Sequence, residues 1–127
     1  MRTTAVELQA RTAALLASLE RLAPVVGGAA RGRTLALAMV KACAALDNGY
    51  RHTCASRSPD EFIQRISAVA RHAKRTKATL MLLTQLDYLP IAETRELICE
   101  ARGLENIFLA SRNTAKKHHR TRLAVRT

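Results

Sequence analysis

The sequence predicts an all-α protein, an antiparallel up-down four-helix bundle with a basic C-terminal tail, and three observations carry that prediction. Apolar residues make up 48% of the 127, yet aromatics are only 3% and Trp is absent. The apolar share rests mainly on Ala and Leu, strong helix formers, where a sheet protein would draw on β-branched and aromatic side chains. Apolar positions recur at three- and four-residue spacings in four stretches, as helices with one buried face require. Pro, Gly and Ser punctuate the stretches at short intervals, and short connections favour antiparallel neighbours. A chain of this length buries a core without disulfide or metal staples.

The first helix is expected over residues 4–23, with Val6, Leu8, Leu15, Leu16, Leu19 and Leu22 on its inner stripe. Pro24 and Gly27-Gly28 stop it. A second helix follows over residues 31–55, built on Leu35, Met39, Ala42, Cys43 and Leu46, with Gly49 as a weak point or a kink. Ser58-Pro59-Asp60-Glu61 is the sharpest local signal. Ser58 suits the N-cap, Pro59 the first helical position, and Glu61 completes a capping box. Phe62, Ile66, Val69, Ala73, Leu80 and Leu83 then face inward, and the helix ends near Tyr88, because Pro90 disfavours helical geometry just before it.

Pro90 opens the fourth helix, lined by Leu97, Ile98, Ala101, Leu104, Ile107 and Phe108, with Gly103 marking a close helix–helix approach. The bundle domain is assigned to residues 1–117, and residues 118–127 to a basic tail, frayed when free. Three cysteines, Cys43, Cys54 and Cys99, form neither a disulfide framework nor a C-x-x-C pair, and read as reduced thiols in a cytoplasmic protein. The four histidines lack metal-ligand spacing with them, so no metal and no cofactor is expected. Neither a signal peptide nor a membrane span is legible, and no membrane partner is expected.

Charge is the feature that points to function. Against 10 acids stand 21 Lys and Arg, a net +11, which attracts polyanions. Arg71, Lys74, Arg75 and Lys77 fall within seven residues of the third helix, in a stretch with no acid between Glu61 and Asp87. From Arg112 onward six cations, among them Lys116, Lys117, Arg120 and Arg122, meet no acid at all. Such clusters contact phosphates and make binding steeply salt-dependent. Few aromatics and no helix-turn-helix punctuation argue for backbone or shape recognition of RNA or DNA over base readout. One catalytic pattern competes: Arg112-Asn113 followed by His118 resembles the R-x4–6-H signature of HEPN ribonucleases, in which a cation and a proton-transfer group promote attack by the RNA 2′-hydroxyl. A plain protein-interaction bundle is the third alternative.

Taken together, five stretches resemble the four-helix-bundle family of the accessory variability determinant (Avd) of diversity-generating retroelements, related to the ribosomal-intervening-sequence proteins. They are Leu22-Ala23-Pro24, Arg31-Gly32-Arg33, Ala44-Ala45-Leu46, the run Leu82-Leu83-Thr84-Gln85-Leu86-Asp87, and the run from Leu97 through Gly103 to Ile107. Leu109-Ala110-Ser111 stands where the family often has a Gly-Trp pair. The resemblance implies a non-enzymatic, basic homopentamer that binds a reverse transcriptase and its template RNA and supports mutagenic cDNA synthesis. It supplies no catalytic residue; on charge placement, Arg71, Lys74, Arg75 and Lys77 would face RNA or polymerase, and Lys116, Lys117, Arg120 and Arg122 would reach phosphates.

Overall fold

The computed structural model describes residues 3–126, the side chain of Arg126 excepted, and is all-helical over them. Four α-helices pack as a bundle: α1 (Ala5–Leu22), α2 (Ala30–Cys54), α3 (Pro59–Gln85) and α4 (Ile91–Arg126), with a single 3-10 turn at Ala23–Val26. α3 packs against both α2 and α4, whereas α1 rests mainly on α2.

Local chemistry fixes the helix ends. Thr4 and Glu7 form a reciprocal capping box at the start of α1, which sequence reading did not single out. At α3, Ser58 Oγ accepts the Glu61 amide at 3.1 Å as expected. The Glu61 carboxylate, however, turns to Arg65 Nη2 at 2.8 Å, so only half of the expected box forms. α3 stops at Gln85, not Tyr88. Asp87 adopts the left-handed region (φ 62°), and the Asp87 and Tyr88 amides donate to Thr84 and Leu83 carbonyls, a Schellman ending.

The core joins Leu15 and Leu19 of α1, Met39, Cys43 and Leu46 of α2, Ile66, Ala73, Leu80 and Leu83 of α3, and Ala101, Leu104 and Phe108 of α4. Val6, expected inside, is 76% exposed. The buried stripe of α1 passes instead through Thr12, whose hydroxyl donates to Asp47 Oδ1 of α2 at 2.7 Å. Tyr50 and Phe108 rings meet at 5.1 Å, a tilted pair that contributes about 1 kcal/mol beyond burial.

The second helix continues through Gly49 as expected, and a Cβ there would meet Val69 Cγ2 at 3.2 Å. At Gly103 a Cβ would meet only the Arg11 guanidinium at an ordinary 3.6 Å, so no helix backbone approaches closely there. The tight approach is at Gly32, where a Cβ would lie 2.6 Å from Val26 Cγ1 and 2.8 Å from the Tyr88 ring. Exposed helix positions gain up to about 1 kcal/mol from Gly→Ala, but overpacking costs about 1–3 kcal/mol. Gly32→Ala is therefore expected to lower stability by about 1 kcal/mol in urea unfolding, and a stabilised variant would contradict the close approach.

Residues 118–126, assigned by sequence to a frayed tail, continue α4 as helix; Thr127 lies outside the described residues. No Gly or Pro follows Gly103 to end the helix, and His119 Nε2 lies 3.0 Å from Asp60 Oδ1, tying this end to the start of α3.

Candidate nucleic-acid interface

α3 is amphipathic because its apolar residues keep a helical period while its cations do not share that face. Arg71, Lys74 and Arg75 are exposed, on the side opposite Ala73 and Leu80, and none has a carboxylate partner among the described residues. Unpaired exposed cations are what a phosphate backbone engages. Lys77 departs from the expected ridge. It follows Ala73 by four and precedes Leu80 by three, so it leans towards the core, and its Nζ pairs with Glu105 Oε1 of α4 at 2.7 Å. With side-chain exposures of only 21% and 11%, that pair is structural, and Lys77 is not free to meet a ligand.

On α4, Lys117, Arg120 and Arg122 are exposed and Lys116 is half-buried; no hydrogen bond or ion pair of their side chains occurs among the described residues. Arg112, Lys116 and Arg120 follow at four-residue spacing and line one flank of the helix. Arg122 turns to another flank, into a groove at the α2–α3 junction that it shares with His118 and Arg57. Arg57 lies in the short α2–α3 connection, where sequence periodicity gives no signal.

Register fixes how the two basic clusters lie along the α3–α4 contact. Thr84 Oγ1 donates to Thr94, Lys77 pairs with Glu105, and Asp60 with His119. Arg71 therefore lies across from the turn at residues 109–112, and residues 64–68 across from residues 112–116. The ridge and the basic part of α4, far apart in sequence, thus follow one another along two helices that pack side by side. No aromatic ring among the described residues is fully exposed: Tyr50 and Phe108 are buried, and Phe62 and Tyr88 half-buried.

His72 sits beside the ridge, half-buried, its Nδ1 without a partner among the described residues. Burial first, and then the Arg75 and Arg71 charges, hold its imidazole below the ordinary histidine range. The unfolded chain thus binds this proton more readily than the fold. Stability from this group is complete above the ordinary value near 6.5, and is lost as pH falls from there through the lowered folded value. His72→Gln is expected to flatten stability against pH in that window, measured by urea midpoints; an unchanged slope would contradict the assignment.

The Arg112/His118 pair is not brought together. Six residues apart on a continuous helix, the two point about 120° apart. Arg112 donates to the side chain of its own neighbour Asn113 at 3.2 and 3.3 Å, while His118 enters the groove. Among the described residues no group of three or more His, Cys, Asp or Glu could hold a metal ion, and no helix is long and apolar enough to cross a membrane. Compared with family models, with curated proteins and with solved structures, the chain shows no match.

Proposed function

We propose that this protein is a non-enzymatic nucleic-acid-binding bundle that grips RNA through its phosphates, as an accessory to a reverse transcriptase of the diversity-generating type. The observation that carries the RNA-binding reading is the exposed set Arg71, Lys74, Arg75, Lys117 and Arg120, none paired with a carboxylate among the described residues, carried by the adjoining helices α3 and α4. A field of this sign raises local polyanion concentration and speeds capture, and the absence of exposed aromatic platforms favours backbone contacts over base readout. The partner enzyme, the template RNA or cDNA intermediate, a homopentameric assembly and a cytoplasmic setting rest on the Avd resemblance and on composition.

An antiparallel up-down arrangement belongs to the same reading. Partners run in opposite senses along α3 and α4, and along α2 and α3 Gly49 faces Val69 while the His52 carbonyl accepts from Arg65. The test is equilibrium binding of a single-stranded RNA at several salt concentrations. With these five cations engaged, the logarithm of affinity should fall against the logarithm of salt with a slope of about −3.5. Failure to bind at about 50 mM salt, or a slope near zero, would sink the proposal.

A further inference from the structure

We infer that the groove at the α2–α3 junction is a binding site for a nucleoside phosphate, with Arg57, His118 and Arg122 around the phosphate and the Phe62/Ala115 wall against the sugar and base. The groove has a volume of about 660 Å³ and is closed on one side by the end of α4. That is the size range of small-molecule pockets, far larger than one inorganic anion needs.

Its lining contains no carboxylate. The acids that adjoin its lining in sequence, Asp60 and Glu61, are paired with His119 and Arg65, and no lining residue neutralises the three basic side chains. None of Arg57, His118 and Arg122 makes a side-chain hydrogen bond or ion pair among the described residues. His118 and Arg122 are four residues apart and share a helix face, and Arg57 comes from the facing connection. Guanidinium groups match phosphate oxygens two at a time, which lysines do not.

The rest of the lining suits the remainder of a nucleotide. Phe62, Pro59 and Ala115 give apolar surface, and Ser56 Oγ, shielded from solvent, has no partner among the described residues. A ligand with a charged end and a flat, partly polar body satisfies both kinds of wall; a bare anion satisfies one. The shared chemistry belongs equally to a free mononucleotide and to the phosphorylated end of a strand.

Cys54 lines this groove and is exposed, Cys99 is exposed elsewhere, and Cys43 is buried with its thiol pushed up to about 12 by desolvation. Alkylation of Cys54, followed residue by residue by mass spectrometry, therefore reports occupancy with Cys99 as the internal reference. Adenosine 5′-monophosphate at ten times its dissociation constant should slow Cys54 about tenfold and leave Cys99 unchanged. A short RNA with a 5′-phosphate that protects better than its 5′-hydroxyl form would identify the strand end as the source; equal or better protection by the mononucleotide would identify the free ligand. Arg57→Gln and Arg122→Gln, both at exposed positions, should each raise the dissociation constant read from Cys54 protection at least about tenfold, with the helical circular dichroism retained.

Three results would overturn the inference: an unaffected Cys54 rate in about 10 mM mononucleotide, unweakened protection in both variants, or equal protection by inorganic phosphate. The site depends on the groove and not on the α3 ridge. Loss of RNA binding in a ridge variant that keeps Cys54 protection, or the converse, separates the two proposals.

Discussion

Replacing Lys77 with methionine should lower the unfolding free energy by about 2–3 kcal/mol in urea titration, because it strands the Glu105 carboxylate in a nearly closed site. Lys74→Met, one turn away on the exposed side, should change stability by less than about 0.5 kcal/mol. The contrast isolates the pair, since both substitutions replace a lysine by an apolar chain of similar length in the same helix. Methionine fills the space that the lysine stem leaves, so the loss reflects the unpaired carboxylate more than a cavity. Substituting both partners, Lys77→Met with Glu105→Leu, should recover most of the loss, because neither charge then remains to be desolvated. Equal stabilities for the two single variants would show that Glu105 relaxes to solvent and that Lys77 is no anchor. The RNA affinity of Lys77→Met should stay within about twofold of the parent, as a lysine already paired has no counterion to release.

Substituting Arg71, Lys74 and Arg75 together by glutamine should reduce the salt slope of single-stranded RNA binding by about 2. Glutamine keeps helix propensity close to that of the originals, so the bundle should unfold at nearly the parent urea midpoint. A slope difference of that size makes the affinity loss about 20-fold larger at 50 mM than at 200 mM salt. A salt-independent loss would instead indicate a folding defect or a lost non-ionic contact. No loss would assign RNA binding to α4 and the groove alone. Single variants should each remove about one third of the slope change, roughly additively, since exposed phosphate contacts act nearly independently.

Much of the fold was legible because it is written in local pattern. Four helical stretches, the Ser58 cap and the inward series of α3 are decided by spacing and by residues within one turn. What depends on register was not legible. Glu105 belongs to a part of the chain 28 residues from Lys77, and nothing local says that the two carry one interaction. A hint was present nonetheless: Lys77 stands between Ala73 and Leu80 on the core side, at an angle that an exposed ridge does not use. Thr12 illustrates the same limit on the apolar side. Its hydroxyl satisfies Asp47 across the α1–α2 contact, which no periodicity count records. Gly32 is tight only because Val26 and Tyr88 converge on it from two different connections. The basic end of α4 reads as a tail when charge is counted, and as helix once its Ala, Leu, Lys and Arg content and its lack of breakers are weighed.

The candidate site was legible in composition and not in shape. The two clusters were visible as runs of charge, but that the helices carrying them lie side by side is a matter of packing. Arg57 had no sequence signature at all, because a lone arginine in the four-residue connection between Cys54 and Pro59 looks like any other loop cation.

α1 packs far less on α4 than on α2, and the side-chain hydrogen bonds that join α1 to α4 among the described residues are those of the Arg11 guanidinium to the Glu100 carboxylate, at 3.0 and 2.6 Å. A helix fastened mainly along one side is the natural first piece to open, and backbone amides of α1 should exchange with solvent through partial openings that leave α2, α3 and α4 assembled. The molecule then divides into a slow three-helix body, which carries every cation of the ridge, and a fast hinged stave that can swing away without disturbing them.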